Sequence, residues 1–180
     1  DGETGKTVWS VPLHEMFGLL STYGGRTNFP VICDDLVIIS GIVIGWGDMA
    51  KPAHRFLAFD KATGEVVCVN GTRLLPYDTT YSSPTITVLN GQKALVVGSG
   101  DGAVWALQPR TGQHIWQFRL SRRGLNVSPL VAGTRIFTGH SEENITGTQM
   151  GAVVSIDGRG DGDVTESGEI WRADELMMGK

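Results

Sequence analysis

The sequence has no long apolar run and no excess of basic charge. No apolar run reaches the roughly 18 residues that a membrane-spanning helix needs, so we expect no such span. The 15 Lys and Arg residues against 19 Asp and Glu residues give a formal net charge of −4. This balance provides no electrostatic footprint for nucleic acid or for an anionic membrane surface, and we expect neither as a partner.

Cysteine, proline and helical periodicity are scarce too. Cys33 and Cys68 form no CxxC motif and no cluster with zinc spacing, and both lie in apolar runs, which favours small buried side chains. Only seven prolines, and glycines without a three-residue period, exclude a collagen-like chain. The segment at 17–23, FGLLSTY, is the only helical candidate, and it is too short to assign.

Glycine, by contrast, is abundant, with 25 among 180 residues, roughly twice the usual share. Hydrophobic residues make up 41% of the chain and charged residues 19%, which is typical of a folded protein and not of a disordered one. Many glycines fall in a repeat, in which a TG or SG turn precedes a short strand that carries Trp or, once, Cys. The four copies lead from Gly5 to Trp9, from Gly64 to Cys68, from Gly112 to Trp116 and from Gly168 to Trp171.

The spacing of this repeat predicts a β-propeller. The Thr or Ser residues of the four turns lie 59, 48 and 56 positions apart, and each full interval contains four short strands separated by tight turns. Periods near 50 residues made of strands are typical of propeller blades. We therefore predict an all-β propeller of four-stranded antiparallel blades. Its blades would be docked by Gly5, Trp9, Gly64, Gly112, Trp116, Gly168 and Trp171, with each large side chain stacked on a neighbouring TG turn.

Residues 1–180 would then belong to one partial propeller domain. Residues 1–13 would supply the last strand of one blade, and residues 27–70, 82–120 and 127–175 would each form a complete blade. Because the chain starts without Met or a signal peptide and ends without a closing structure, we expect it to be a fragment.

The phrases AFDKATGEVV, ALQPRTGQHIW and SIDGRGDGDVTESGEIW resemble the tryptophan-docking repeats of pyrroloquinoline-quinone-like (PQQ-like) β-propellers. That family contains the BamB-type outer-membrane assembly lipoproteins, which are not enzymes, and the quinoprotein alcohol and glucose dehydrogenases. The GDVT segment followed by Trp171 resembles secreted bacterial members. The resemblance implies about eight blades, of which this chain holds about three and a half, and a periplasmic or extracellular location.

The longer loops are predicted to share one face of the sheets. In antiparallel order, connections from the second to the third strand and from the fourth strand to the next blade emerge together. They are long at 14–28, 45–54, 71–82, 121–127 and 140–150. Binding residues concentrate on such loops. The candidate binding residues are Arg26, Asn28, Trp46, His54, Arg73, Tyr77, Asp78, Arg122, Arg123, Asn126, His140, Glu142, Glu143 and Asn144.

For function, we favour a non-catalytic, exported binding or scaffold module for a protein or envelope partner. The resemblance to quinoprotein dehydrogenases implies, as the alternative, a fragment of an enzyme that oxidises alcohols or sugars with PQQ and calcium. The sequence lacks their adjacent cysteines and matches no calcium set, so we expect no catalytic residue, metal or cofactor. Trp46 and Tyr77 leave a carbohydrate-binding module open.

Three short motifs fit turns and strands better than sites. The loop at 157–163, DGRGDGD, carries Arg159 and Gly168 where an EF-hand needs ligands, which indicates an acidic hairpin. Asn70 and Asn144 begin glycosylation sequons, which matter only in a eukaryotic secretory context.

Overall fold

A computed structural model of the protein describes residues 1–19, 29–42, 54–73 and 80–174. It confirms the all-β prediction, with three antiparallel sheets that follow one another along the chain. The first sheet contains β1 (Val31–Cys33), β2 (Leu36–Ile42), β3 (His54–Asp60) and β4 (Val66–Gly71). The second contains β5 (Thr85–Leu89), β6 (Gln92–Gly98), β7 (Ala103–Leu107) and β8 (His114–Arg119). The third contains β9 (Leu130–Ala132), β10 (Arg135–Glu143), β11 (Met150–Asp157) and β13 (Glu169–Asp174), and β12 (Gly162–Asp163) adds to the second sheet.

The structure differs from the sequence prediction at three segments. A five-residue helix, α1 (Leu13–Phe17), ends at Gly18, whose positive φ of 63° closes it. Residues 1–12 form a turn and an extended segment instead of a strand, because no described strand pairs with them. The loop predicted at 140–150 starts later, because β10 continues through Glu143 and pairs with Met150.

The strand registers repeat from sheet to sheet. Cys68 on β4 pairs with Ala58, and Trp116 on β8 pairs with Ala106. Trp171 on β13 pairs in the same way with Ser155. These three residues therefore occupy equivalent positions on the outer strand of each sheet.

The core lies between the sheets. The first strands β1, β5 and β9 contact one another in succession, so they form the inner edge of an arc. We call the contact of the first and second sheets the first joint, and the contact of the second and third sheets the second joint. Buried side chains of the first joint include Cys33, Phe56, Leu95 and Leu107. Those of the second include Leu89, Trp116, Leu125, Ile136 and Val154.

The connections β4–β5, β6–β7, β8–β9 and β10–β11 emerge at one end of the sheets, which we call the loop face. Short turns join β1 to β2, β3 to β4, β5 to β6, β7 to β8 and β9 to β10 at the opposite end, in keeping with the antiparallel order. Among the described residues, no helix is long and apolar enough to cross a membrane.

Candidate functional site

Three copies of one side-chain-supported turn lie at the end opposite the loop face. In each copy a side-chain oxygen accepts hydrogen bonds from the backbone N–H and the hydroxyl of a threonine three residues later, at 2.7–3.1 Å. The glycine after each threonine has a φ between 68° and 76°, a conformation that favours glycine. The conformation of the turn therefore requires the TG motif. The three copies are Asp1–Thr4–Gly5, Asp60–Thr63–Gly64 and Gln108–Thr111–Gly112.

Two tryptophans of the repeat pack on the next sheet. Trp9 Nε1 donates to the Lys61 carbonyl at 2.9 Å, and its ring covers Gly64 so closely that a Cβ there would lie 2.7 Å from a ring carbon. Trp116 is 1% exposed, and its Nε1 donates to the Gly158 carbonyl at 3.0 Å. In both cases the indole joins its own segment to a neighbouring turn.

The two remaining positions of the repeat differ. Trp171 is 43% exposed and contacts Phe137, with ring centroids 6.2 Å apart. Cys68 does not cover the TG turn at Gly112. Asn70, two residues further along β4, does so instead, and its Nδ2 donates to the Gly112 carbonyl at 2.6 Å. The fourth turn glycine, Gly168, packs on its own neighbour Val164.

At the loop face, several candidate residues meet at the second joint. Arg122 donates from Nε and Nη2 to the Ile145 carbonyl at 3.2 and 2.9 Å. Arg123 Nε lies 3.2 Å from Glu143 Oε2, and this contact, after a backbone hydrogen bond, holds the pKa of the Glu143 carboxyl below its usual range. Ser121 and Asn144 form a β-bridge. These side chains tie the β8–β9 connection to the β10–β11 hairpin.

Two further candidates are buried in the same region, and a third lies beside them. His140 is 2% exposed, and burial, aided by the charge of Arg172, lowers its pKa, so the imidazole is neutral at pH 7. Asn144 Nδ2 donates to the Gly151 carbonyl at 3.2 Å. Asn126 Oδ1 accepts from the backbone N–H of Tyr81 at 3.2 Å and links two connections. Asn144 and Asn126 therefore join neighbouring segments of the loop face, and His140 is buried beside them.

The first joint carries a buried polar network in which His54 is the only predicted candidate, and it lies buried at the start of β3 instead of in an exposed loop. His54 Nδ1 lies 3.2 Å from Ser99 Oγ, and Thr72 Oγ1 lies 3.0 Å from the same oxygen. Asp101, only 7% exposed, accepts from the Ala103 N–H at 3.0 Å and from Trp105 Nε1 at 3.0 Å. Burial raises the pKa of its carboxyl. The only signal for Asp101 is the GSGDG turn, which predicts a hairpin but not burial.

The other predicted candidates contribute less to this geometry. Arg73 is exposed beside Asp101, and Glu142 is half-buried on β10. Five candidates lie outside the described residues, namely Arg26, Asn28, Trp46, Tyr77 and Asp78. The sequon residues Asn70 and Asn144 are both held by backbone carbonyls.

The described residues offer no set of ligands for the calcium of the dehydrogenase alternative. Within them, no three His, Cys, Asp or Glu side chains lie close enough to hold a metal ion. The carboxylate of Asp101 is already engaged by the Ala103 N–H and the Trp105 indole. In the 157–163 loop, Asp157 pairs with Arg159, which lowers the Asp157 pKa to about 2. No quinone chemistry is assigned to these side chains.

Comparison with solved structures identifies the fold. The chain resembles the quinohemoprotein alcohol dehydrogenase from Comamonas testosteroni, with 16% identity over 87% of this chain and 22% of that one, and a TM-score of 0.56. For quinohemoprotein alcohol dehydrogenase ADHIIG from Pseudomonas putida HK5 the values are 16%, 83%, 20% and 0.53. For a europium-containing methanol dehydrogenase they are 14%, 83%, 25% and 0.54. The chain spans about a quarter or less of these proteins, and at such identities the likeness concerns the fold alone.

The family follows from the sequence comparison. Among curated proteins, no sequence matches the chain. The family model described as outer membrane protein assembly factor BamB matches residues 1–175. The three sheets and their docked outer strands agree with this match, and they are blades of a partial propeller. The chain therefore belongs to the BamB family of PQQ-like β-propeller repeat proteins.

Proposed function

We propose that this chain is part of a non-catalytic, exported propeller that binds a protein or envelope partner through its loop face. The observation that supports this function is that polar side chains at the second joint form hydrogen bonds to neighbouring connections of the protein. Arg122, Arg123 and Asn144 direct their hydrogen bonds to the carbonyls and carboxylate of neighbouring connections. Side chains engaged in this way build a fixed surface, and within the part of the loop face that the structure describes they form no convergent set for a reaction.

A fixed loop face suits recognition because little conformational entropy is lost when a partner binds to ordered loops. The β8–β9 connection is held on three sides, by Asn144, by Tyr81 and by the β6–β7 turn, where Leu125 N donates to the Ser99 carbonyl at 3.0 Å. The guanidinium groups of Arg122 and Arg123 remain exposed at its rim. Arginine is enriched at protein interfaces, since it combines charge with planar hydrogen bonding.

The family supports the class of partner and the compartment. The matched family is described by its role as an outer membrane protein assembly factor. We accordingly propose a periplasmic or extracellular location and a protein of the cell envelope as the partner.

Site-specific photo-crosslinking tests this function. A benzophenone amino acid would be placed at Arg73 and at Arg122 on the loop face, and at Gln92, the exposed first residue of β6 at the opposite end, as the control. In envelope extract from the producing organism, we expect both loop-face positions to capture the same protein and Gln92 to capture none. Equal capture at Gln92, or no capture at either loop-face position, would contradict the proposal.

The dehydrogenase alternative is supported by the fold of the solved structures and has its own test. The protein would be titrated with PQQ and Ca²⁺, followed by the quinone absorbance, and then assayed for dye-linked oxidation of alcohols and sugars. We expect no spectral change and no turnover. Quinone binding with turnover would replace the binding function with an enzymatic one.

A further inference from the structure

We propose that the first joint is the place where the blade arc opens, ahead of global unfolding, because Cys68 and Asn70 replace a docking tryptophan there. This inference concerns the conformational behaviour of the arc and does not depend on the function proposed above.

The strand register shows what the first joint lacks. Cys68 pairs with Ala58 as Trp116 pairs with Ala106, so the cysteine stands where the second joint has a fully buried indole. A cysteine side chain is too short to cover the next turn. The large apolar contact that closes the second joint is therefore missing from the first.

The missing side chain leaves a small void that is partly open to solvent. It measures about 10 Å³, enough for about one water molecule, and lies between the first two blades. Cys68 lines it, together with Phe56, Leu107, Pro109 and Gly112. An apolar void forfeits the dispersion contacts that an indole would make, which lowers the cost of separating its two walls.

The contacts that replace the tryptophan are polar and lie near the surface. Asn70 Nδ2 donates to the Gly112 carbonyl, and His114 Nε2 lies 2.7 Å from the Gly71 carbonyl. Asn70 is half-buried and His114 is exposed, so water can replace both hydrogen bonds when the blades part.

Among the described residues, the first joint is also crossed by two exposed ion pairs, Lys93–Asp34 and Arg110–Asp35, and by the His54–Ser99 contact, all of them between side chains. The second joint has closures that involve the backbone. Strand β12 pairs in parallel with β8 across it, through Gly162 opposite Trp116. The Ser121–Asn144 bridge and the Arg122 N–H, which donates to the Glu143 carbonyl at 3.0 Å, close its loop-face end. We therefore expect this joint to separate only when the whole chain unfolds.

The chain carries its own reporter of the opening. Cys33 is a buried free thiol in the core of the first joint, so separation of those blades exposes it to a thiol reagent. The C68A variant leaves Cys33 as the single thiol. The matched control is C33A/C68A/V154C, which places a single thiol at a buried position of the second joint.

The experiment measures reagent labelling of each single thiol in the 180-residue chain at increasing urea, with each rate divided by that of the unfolded protein. At low urea we expect Cys33 in C68A to be labelled at least about tenfold faster than the thiol introduced by V154C, with a weaker dependence on urea, as for a sub-global opening. Equal normalised rates with equal urea dependence would show that both thiols need global unfolding, and would overturn the proposal.

Two further variants address the cause. C68M fills part of the void and should slow Cys33 labelling relative to C68A, whereas N70A in the C68A background should speed it several-fold. I136V in the same background weakens the core of the second joint only mildly and should leave Cys33 labelling at low urea unchanged. If I136V speeds Cys33 labelling as much as N70A does, the opening is not located at the first joint.

Discussion

Replacing Trp116 by alanine is expected to be the most damaging truncation among the tryptophans of the repeat. The side chain is 1% exposed within the second-joint core, and its Nε1 donates to the Gly158 carbonyl. Truncating a buried aromatic residue costs about 3–5 kcal/mol, and an unsatisfied buried carbonyl adds about 1–3 kcal/mol. Domains of this size are stable by only about 5–15 kcal/mol, so W116A should come close to unfolding the chain.

Trp171 provides the control for the W116A prediction. Trp171 belongs to the same repeat and strand register, but it is 43% exposed and contacts Phe137 alone among the aromatic rings described. W171A should therefore cost about 1–2 kcal/mol, clearly less than W116A. Urea unfolding followed by circular dichroism gives both values. Similar destabilisation by W116A and W171A would refute the conclusion that docking on the neighbouring blade gives the tryptophan its structural role.

Three further predictions concern single contacts. Gly64→Ala should destabilise the chain more than Gly5→Ala, since both have positive φ but only Gly64 has the Trp9 ring within 2.7 Å of the new Cβ; equal losses in urea unfolding would contradict the docking contact. Because the pKa of His140 is lowered in the folded chain, the unfolded chain takes up the proton first as the pH falls, and stability should decrease below about pH 6.5. Urea midpoints measured against pH should fall less for His140→Gln than for the unchanged chain. The raised pKa of Asp101 has the opposite effect on stability, which should be lost as the pH rises through the folded pKa. Asp101→Asn keeps an acceptor for Trp105, so unfolding titrations at pH 7 should show it to be more stable than Asp101→Ala by about 1–3 kcal/mol.

The repeat in the sequence was sufficient to predict the blades. Each residue of a TG turn is required for a physical reason, because the threonine hydroxyl closes the turn and the glycine adopts the positive φ. The pattern can therefore be recognised without a structure. The strand segments between the turns are short, rich in apolar residues, and end at further turn residues. For that reason the number of blades, their antiparallel order and the loop face could all be derived from spacing.

Side-chain partners were harder to predict. The repeat points to Cys68 at the first joint, yet Asn70 covers Gly112, because residues two apart on a strand share a face and the longer one reaches the turn. Strand β12 comes from extra residues in the fourth turn, and parallel pairing of two residues leaves no periodic signal. The hydrogen bonds of Arg122 go to a backbone carbonyl, which every residue has, so its structural role was invisible in the sequence.

We propose above that the loop face is a fixed recognition surface. The yield of photo-crosslinked product at position 122, relative to position 92 on the opposite face, tests it most directly, because both positions are exposed and only one lies on the loop face. We expect one dominant crosslinked partner at position 122 and only background yield at position 92. Equal yields, or a product confined to position 92, would contradict it.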